Sequence, residues 1–367
     1  MSSSFIREAR FTLNTWPIQW TDILSLRGVY HYKLTKAVPL EGTASYAEIS
    51  AASGLAQPLV FRFIRHAIIN GIFDEPEPGR VSHTAMSRLL ATNPDFTDLM
   101  GWCVEELSPI AASYIDAINK WGNSPEPTET AFSLLNDSKL PLFVELSKTP
   151  ERARRFGGAM RSLTTHDHLN VRHILNGFDW AGFDKEGTVA VDVGGGLGHI
   201  SRYLASNTKN IKFIVQDLPH VIEQAKKAES PAEIEGRVEY VGQDFFKPQS
   251  IEPAEIFFLR GIIHNWSDKY VLQMIKNLVP VLKKGSRVLL FEFTLEVEPV
   301  KEVSERMGWD LDLMMGIGWN GKERSSADVQ ALFKEVDERF VWVADHRSTS
   351  NSIASIEMSF EPQESKL

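Results

Sequence analysis

Four glycines follow a carboxylate in the segment VDVGGGLGHIS, which has the pattern D-x-G-G-G-x-G from Asp192 onward. Glycine loses more backbone freedom on folding than other residues, so this run predicts a loop that a ligand approaches closely. The G-x-G-x-x-G spacing of dinucleotide sites does not fit. A register that begins at Gly194 places its third glycine position at His199, and one that begins at Gly196 places it at Ser201. The acid before the loop would repel a pyrophosphate and suits a ligand that carries a positive charge.

Two further carboxylates follow later apolar runs. Asp217 ends the run IKFIVQD, and Asp244 with Phe245 follows VEYVGQ. An acid after the second strand of a dinucleotide-type fold binds a ribose diol, and Asp244 beside Phe245 offers an adenine amine an acceptor and a ring to stack on. A helix cap is the alternative interpretation of Asp244 alone. Together with Asp192, these acids predict a nucleoside without phosphate, which we interpret as S-adenosyl-L-methionine.

A sheet is required to bring these carboxylates together. From residue 188 onward, short apolar runs alternate with helical stretches; the runs are TVAVDVGG, IKFIVQDL, VEYVGQDFF, EIFFLRGII and RVLLFEFTL. This alternation predicts an α/β fold, a Rossmann-like doubly wound and mostly parallel sheet with helices on both faces. The last two runs, FVWVADHR and SIASIEMSFE, are too close for a helical crossover and predict an antiparallel edge. Ligands of such folds lie at the carboxyl ends of the strands, where all three acids are expected.

The amino-terminal part is predicted to be helical. SYAEISAASGLAQPLVFRFIRHAIINGIFDE has apolar residues at helical spacing, and DEPEPGRVSHTAMSRLL suggests a short wing, so a winged-helix unit is predicted near residues 45–92. Winged helices usually bind DNA, yet the candidate recognition helix carries only Arg62 and Arg65 as fixed positive charges. We therefore expect a role in packing or dimerisation.

Composition narrows the class of protein. The formal net charge of −9 and the pI near 5.6 oppose nucleic-acid binding. No apolar run approaches about 18 residues and no secretory signal is evident, so we predict a cytoplasmic protein with no membrane partner. Cys103 is the single cysteine, which excludes an internal disulfide framework. Its neighbours Trp102 and Val104 predict a buried thiol.

Three histidines near the middle of the chain do not suggest a metal site. His166, His168 and His173 fit no spacing such as H-E-x-x-H. We predict that they share the solvated face of one polar helix, from about Pro150 to Leu175. No acid cluster suggests Mg²⁺, so no metal is predicted.

Five segments occur in the order that is typical of one enzyme family: VDVGGGLGHIS, QDLPHVI, GQDFF, FFLRGIIHNWSD and NGKERS. Over about residues 20 to 360 the chain resembles the class I S-adenosylmethionine-dependent O-methyltransferases of the plant and fungal small-molecule type. The resemblance implies a helical, winged-helix-like domain in residues 1–150 that forms a homodimer, a linking helix region in 151–187, and a Rossmann-like catalytic domain in 188–367. It also implies a substrate pocket between the two domains.

A base is the chemical requirement of such a transfer, because a phenol with a pKa of about 10 is protonated at neutral pH. His264 follows EIFFLRGII at the predicted carboxyl end of a strand, and the ordinary histidine pKa near 6.5 suits a base. For an arbitrary histidine, a capping or core position is the alternative. The resemblance implies that Glu292 and Glu323 hold the ring. The expected cofactor contacts are Asp192, Gly194, Gly196, Asp217, Leu218, Asp244, Phe245 and Arg260.

The acceptor pocket is expected near the run DLDLMMGIGW. Met314 matches a methionine that flanks aromatic acceptors in the family, Met160 is expected opposite, and Trp319 would add a flat wall. An ordinary core stripe is the alternative for the methionines. The predicted acceptor is a hydroxyl of a small aromatic or polyketide-type secondary metabolite.

One residue departs from the pattern of the family. An aspartate usually follows the catalytic histidine, whereas this chain has Asn265, which removes a charge from the substrate side. The change leaves an alternative open, in which a methyltransferase-like protein keeps the cofactor and catalyses a dehydration or a pericyclic ring closure. Retention of His264, Glu292 and Glu323 together favours methyl transfer.

Overall fold

A computed structural model describes residues 19–165, 169–227, 231–251, 254–295, 306–347 and 353–361. The chain divides into two compact units. The first consists of the described residues of Met1–Ser113 together with Phe143–Leu163, and the second consists of those of Tyr114–Leu142 together with Thr164–Leu367. No helix of the described residues is long and apolar enough to cross a membrane.

The secondary structure is mixed. The α-helices are α1 (Trp20–His31), α2 (Leu34–Ala37), α3 (Tyr46–Ser53), α4 (Gln57–Ile69), α5 (Ala85–Thr92), α6 (Pro94–Gly101), α7 (Ser108–Ala112), α8 (Tyr114–Trp121), α9 (Ala131–Leu135), α10 (Leu142–Ser147), α11 (Pro150–Leu163), α12 (Arg172–Asn176), α13 (Trp180–Phe183), α14 (His199–Ser206), α15 (Pro219–Ala225), α16 (Asp268–Leu278), α17 (Met307–Trp319) and α18 (Ser326–Val336). The strands are β1 (Ala44–Ser45), β2 (Phe73–Glu77), β3 (Arg80–His83), β4 (Val189–Val193), β5 (Lys212–Asp217), β6 (Val238–Gly242), β7 (Ile256–Arg260), β8 (Arg287–Glu292), β9 (Phe340–Arg347) and β10 (Ala354–Phe360).

The first unit is mainly helical and contains a small three-stranded sheet in the order β1-β3-β2. Ser45 and Glu48 form a capping box that begins α3, and Gly54 ends that helix in the left-handed conformation. Val60 and Ile64 of α4 are fully buried in the core of this unit. These elements occupy the segment near residues 45–92 for which the sequence predicts a winged-helix unit.

Two local predictions are wrong. The polar helix predicted from Pro150 to Leu175 ends at Leu163, and His173 lies in the separate helix α12, where it is buried. The side chain of Asn170 accepts the N–H of Arg172, which is the first residue of this separate helix. His166 and His168 lie outside the described residues.

The second wrong prediction concerns Cys103, which is exposed. It lies in a π-helical turn, Trp102–Leu107, between the buried residues Trp102 and Val104. Successive helical side chains point in different directions, so apolar neighbours in sequence do not bury the residue between them.

The second unit contains a seven-stranded sheet in the order β6-β5-β4-β7-β8-β10-β9. The first five strands are parallel, and β10 pairs antiparallel with both β8 and β9. Successive residues of β7 belong to two different core clusters, Phe257 and Leu259 to one and Ile256 and Phe258 to the other. The predicted α/β fold class, with its antiparallel edge, is confirmed.

Candidate active site

The glycine loop joins β4 to α14 and requires glycine at several positions. Gly194, Gly196 and Gly198 have φ values of 77°, 57° and 76°, which side chains rarely adopt. The N–H groups of Gly194 and Gly195 both donate to the carbonyl of Gln216, at 2.8 and 3.0 Å, and tie the loop to β5. A Cβ added at Gly196 would meet nothing within 4 Å, so the loop is open on that side.

The carboxylate of Asp192 lies beneath this loop. It accepts the hydroxyl of Ser201 at 2.7 Å, and a Cβ added at Gly195 would lie 2.5 Å from its Cγ. Burial, with a contribution from Asp217, raises the pKa of Asp192 to about 7, against the opposing effects of Ser201 and Arg260. The hydrogen bond from Ser201 connects Asp192, which precedes the loop, to helix α14.

Asp217 ends β5 and holds the loop from the other side. Its carboxylate accepts the N–H of Gly196 at 2.9 Å and that of Leu218 at 2.7 Å. Burial raises the pKa of this carboxyl group. Leu218 itself is exposed beside the loop.

Asp244 and Phe245 follow β6. The Asp244 carboxylate accepts the N–H of Phe246 at 2.9 Å, which closes a tight turn. Phe245 packs edge to face against Phe246 and Trp266, and a Cβ added at Gly194 would lie 3.7 Å from its ring. The aromatic face that the sequence places after β6 therefore borders the glycine loop.

Arg260, the last residue of β7, has an unused hydrogen-bond donor. One terminal nitrogen donates to the carbonyl of Leu169 at 3.0 Å, whereas Nε is buried and has no partner among the described residues. Burial lowers the pKa of this guanidinium, and the charges of Glu292 and Asp192 oppose that effect. A buried, unpaired donor is costly unless a ligand satisfies it.

His264 lies in a 3₁₀ turn, Ile263–Asn265, just after β7. Its Nδ1 lies 2.9 Å from Oε1 of Glu323 and 3.9 Å from Oε2 of Glu292. The other oxygen of Glu292 accepts the N–H groups of Ile262 and Ile263, both at 2.9 Å, and so fixes the turn on β8. The structure brings together the three residues that the sequence predicts as a unit.

Glu323 and Glu292 favour the protonated, positively charged form of the His264 imidazole. Burial alone would lower the pKa of His264, but Glu323 and then Glu292 oppose it and raise the pKa to about 9. Burial raises the pKa of Glu292. Within the described residues, Oε2 of Glu292 and Oε2 of Glu323 have no hydrogen-bond partner, so the imidazole is the main compensation for both charges.

Two functional neighbours were missed by the sequence reasoning. The buried guanidinium of Arg324 donates to the carbonyls of Ile263 and Trp266, at 2.9 and 2.7 Å, and clamps the turn that carries His264. Asp312 of α17 accepts the backbone N–H of Glu323 at 2.9 Å. Arg324 lies within NGKERS and Asp312 within DLDLMMG, which was the available signal, but neither contact is local in sequence.

The residues predicted on the acceptor side lie on three elements, which are the turn of His264, α17 and α11. Asn265 donates from Nδ2 to the carbonyl of Gly261 at 3.1 Å, so its side chain turns back on its own loop. Met314 is half-buried on α17, and Trp319 is buried at the end of that helix. Met160 is half-buried on α11, in the first unit.

Comparison with known proteins adds independent findings. Residues 136–337, more than half of the chain, match the model of the O-methyltransferase domain family. The chain is 34% identical to O-methyltransferase bik3 of Gibberella fujikuroi, over 86% of this chain and 70% of that protein. It is 31% identical to the chlorophenol O-methyltransferase of Trichoderma longibrachiatum, over 97% and 77%. A solved structure described as a pericyclic reaction enzyme has a TM-score of 0.80 at 21% identity, over 97% of this chain and 92% of the other, and shows a shared fold.

Proposed function

The chain belongs to the family of S-adenosyl-L-methionine-dependent O-methyltransferases, and from that premise we propose that it methylates a hydroxyl of a small aromatic or polyketide-type secondary metabolite. The observation that carries this proposal is the hydrogen bond between Nδ1 of His264 and Glu323, with Glu292 behind it. A relative that is named for chlorophenol supports a phenolic acceptor.

The residues around the glycine loop fit the cofactor. The loop is open at Gly196, Asp217 lies beside it, and the unpaired Nε of Arg260 supplies a buried donor at the same sheet edge. When bound, S-adenosyl-L-methionine supplies a methyl group on a positively charged sulfur. We propose that it is held by Asp192, Gly194, Gly196, Asp217, Leu218, Asp244, Phe245 and Arg260.

The role of His264 follows from its two ring nitrogens. Nδ1 is engaged by Glu323, so Nε2 is the atom that takes the proton of the acceptor hydroxyl. The carboxylates of Glu323 and Glu292 both lie on the Nδ1 side of the ring, where they stabilise the imidazolium that forms and hold the ring in orientation. A positioned base of this kind contributes about 10²- to 10⁴-fold in rate.

The acceptor side rests on fewer contacts. We propose that Met314, Met160 and Trp319 border the acceptor, with apolar and aromatic surface for a flat ring. Asn265 carries no charge, and its side-chain amide donates to the carbonyl of Gly261 in its own turn. We propose that it borders the acceptor without supplying a charge to it.

A second candidate function has an observation in its favour. With a pKa of about 9, His264 is an imidazolium at neutral pH, which is an acid rather than a base. An imidazolium can polarise a carbonyl of a substrate in a dehydration or a pericyclic ring closure without methyl transfer. The solved structure of a pericyclic reaction enzyme has the same fold.

A labelled donor separates the two candidates. The protein is incubated with a panel of phenols and with S-adenosyl-L-methionine that carries an isotopic methyl group, and the product mass is measured. Methyl transfer adds the labelled methyl to the product, whereas a cyclase gives an unlabelled isomer. Unlabelled isomer together with an unconsumed donor would contradict our proposal.

We also propose a cytoplasmic homodimer whose interface lies in residues 1–150. Trp20, Ile23 and Leu24 are exposed apolar residues at helical spacing on α1, which gives one face of that helix an apolar surface. The single cysteine needs no oxidising compartment.

A further inference from the structure

The segment that carries Glu323 is held between a helix and the turn of His264. After α17 the chain reverses at Asn320, which has a left-handed conformation, and residues 320–324 run back along the helix. We call residues 320–324 the return segment. The N–H of Gly321 donates to the carbonyl of Met315 at 3.2 Å. On its other side, a Cβ added at Gly321 would lie 2.1 Å from the carbonyl oxygen of His264, so the return segment touches the turn directly.

Asp312 makes the contact that fixes Glu323 on the helix. Its Oδ1 accepts the backbone N–H of Glu323 at 2.9 Å, and Glu323 in turn contacts Nδ1 of His264 at the same distance. A three-residue chain therefore runs from α17 to the imidazole. Burial, followed by the nearby Glu323, raises the pKa of Asp312, although the Glu323 N–H opposes that effect.

The helix that carries Asp312 also carries Met314. Residues two apart on an α-helix point about 200° apart, so these side chains lie on nearly opposite sides of α17. On one side of α17, Asp312 binds Glu323, which is the partner of the imidazole. On the other side lies Met314, which we propose for the acceptor pocket. Asp312 therefore links α17 to the backbone of Glu323.

We propose that Asp312 is a positioning residue, which holds the backbone of Glu323 so that its carboxylate stays on Nδ1 of His264. The expected effect on kcat rests on the proposed methyl transfer, whereas the expected effect on the His264 imidazole does not. Among the described residues, the charged groups near this chain of contacts are Glu292 of β8 and Lys322 and Arg324 of the return segment. Arg260 of β7 interacts with Glu292, and Asp268 of α16 accepts from Arg324.

The test compares Asp312→Ala with Asp312→Asn. Removal of the acceptor oxygen in Asp312→Ala should lower kcat by about 10-fold with little change in the KM for the donor, in the range seen when outer partners of a site are removed. Asp312→Asn keeps an acceptor oxygen at the same place and should retain kcat within about 3-fold. Asp310→Ala is the matched control, because Asp310 is exposed on the same helix and pairs only with Arg306 among the described residues.

A second readout separates positioning from a merely structural role. The titration midpoint of the His264 imidazole is followed by NMR in the protein without donor. Asp312→Ala should lower this midpoint, because Glu323 is no longer held at Nδ1. Asp312→Asn should lower it by a smaller amount, because it removes only a nearby negative charge.

A double-mutant cycle completes the test. In a Glu323→Gln background, Asp312→Ala should cause no further loss of kcat. An equal loss in both backgrounds, or an unchanged His264 midpoint in Asp312→Ala, would overturn the proposal. If Asp312→Ala does not fold, a midpoint that falls as far in Asp312→Asn as in Glu323→Gln overturns it instead, because the acceptor oxygen that holds Glu323 is still present in Asp312→Asn. The NMR midpoint is read without turnover, so it remains decisive even where no methylated product forms.

Discussion

The protonation state of His264 decides what the site can do. Glu323 and Glu292 overcome the effect of burial and raise the pKa of His264 to about 9, so roughly one imidazole in a hundred is neutral at pH 7. A base must be neutral before it accepts a proton, whereas an acid must be protonated. The two candidate functions therefore require opposite pH dependences from the same residue.

We predict that kcat/KM for methyl transfer rises about tenfold per pH unit above pH 7 and levels off near pH 9. The sign follows because deprotonation creates the active base, and kcat/KM reports the groups of the free protein. The measurement is the initial rate of labelled-methyl transfer across this range. His264→Ala should abolish this rise of kcat/KM with pH and lower the rate by at least about 10²-fold. His346→Ala, at an exposed histidine of β9, should change neither the pH dependence nor the rate. A rate that falls as pH rises would instead favour acid catalysis.

At the residue scale, His264 is predicted from its place after an apolar strand, and Glu292 and Glu323 are predicted from the resemblance to the family; the structure places the three side chains together. The sequence does not identify Asp312 or Arg324, which reach the site only because the chain turns back after α17. Nor does residue type indicate that two buried carboxylates change the charge of the histidine. Both features depend on contacts between distant segments.

Among the elements, the glycine loop depends on the ends of β4 and β5. Asp192 fastens it to α14, and Asp217 holds Gly196 from the neighbouring strand. The parallel strands place these side chains at one edge of the sheet, which is why an acid at a strand end affects a loop that follows a different strand.

We predict that Asp217→Ala weakens S-adenosyl-L-methionine binding by at least about 10-fold, because the loop loses its support and the ligand loses an acceptor. Calorimetric titration measures the affinity directly. Glu223→Ala, at an exposed acid on α15, is the control and should bind as the unmodified protein does. Equal affinity in Asp217→Ala would remove this residue from the cofactor site.

The return segment gives a second prediction at this scale. In Gly321→Ala the new Cβ would meet the backbone of residues 264–266 at 2.1 to 3.0 Å, so the turn of His264 must move. We expect a loss of about 1–3 kcal/mol in the free energy of unfolding and a fall in kcat of at least about 10-fold. Thermal unfolding and initial rates are measured together.

Gly157→Ala is the matched control for this change. A Cβ there would make an ordinary contact of 3.5 Å within α11, so stability should be unchanged or slightly higher. Wild-type activity in Gly321→Ala would show that the turn tolerates displacement.

The central strands β4, β5, β7 and β8 were predictable because most of their residues are buried on both faces. Phe257 and Phe258 are adjacent in sequence and belong to different core clusters, which produces the unbroken apolar run of β7. The helix near residue 163 was not predictable in the same way. Its polar sequence continues past Leu163, yet the helix ends there and a separate helix begins at Arg172.

For the whole molecule, we predict that Leu24→Glu shifts the proposed homodimer to monomer. Leu24 is 49% exposed beside Trp20 and Ile23 on α1, and a charge placed in an apolar interface loses its hydration without a partner. Sedimentation velocity at several protein concentrations measures the change. Glu41→Ala, at an exposed acid outside this face, should leave the association state unaltered.

The two units are interleaved along the chain, with crossings after residues 113, 142 and 163. Residues 114–142 belong with the seven-stranded sheet, and Asn320 and Ser267 hydrogen-bond to carbonyls of Glu126 and Pro125 within them. During synthesis on the ribosome, this early segment emerges well before the strands that it joins. It must wait until Ser267 and Asn320 have been translated, so an expression fragment that starts at residue 164 would lack part of its own fold.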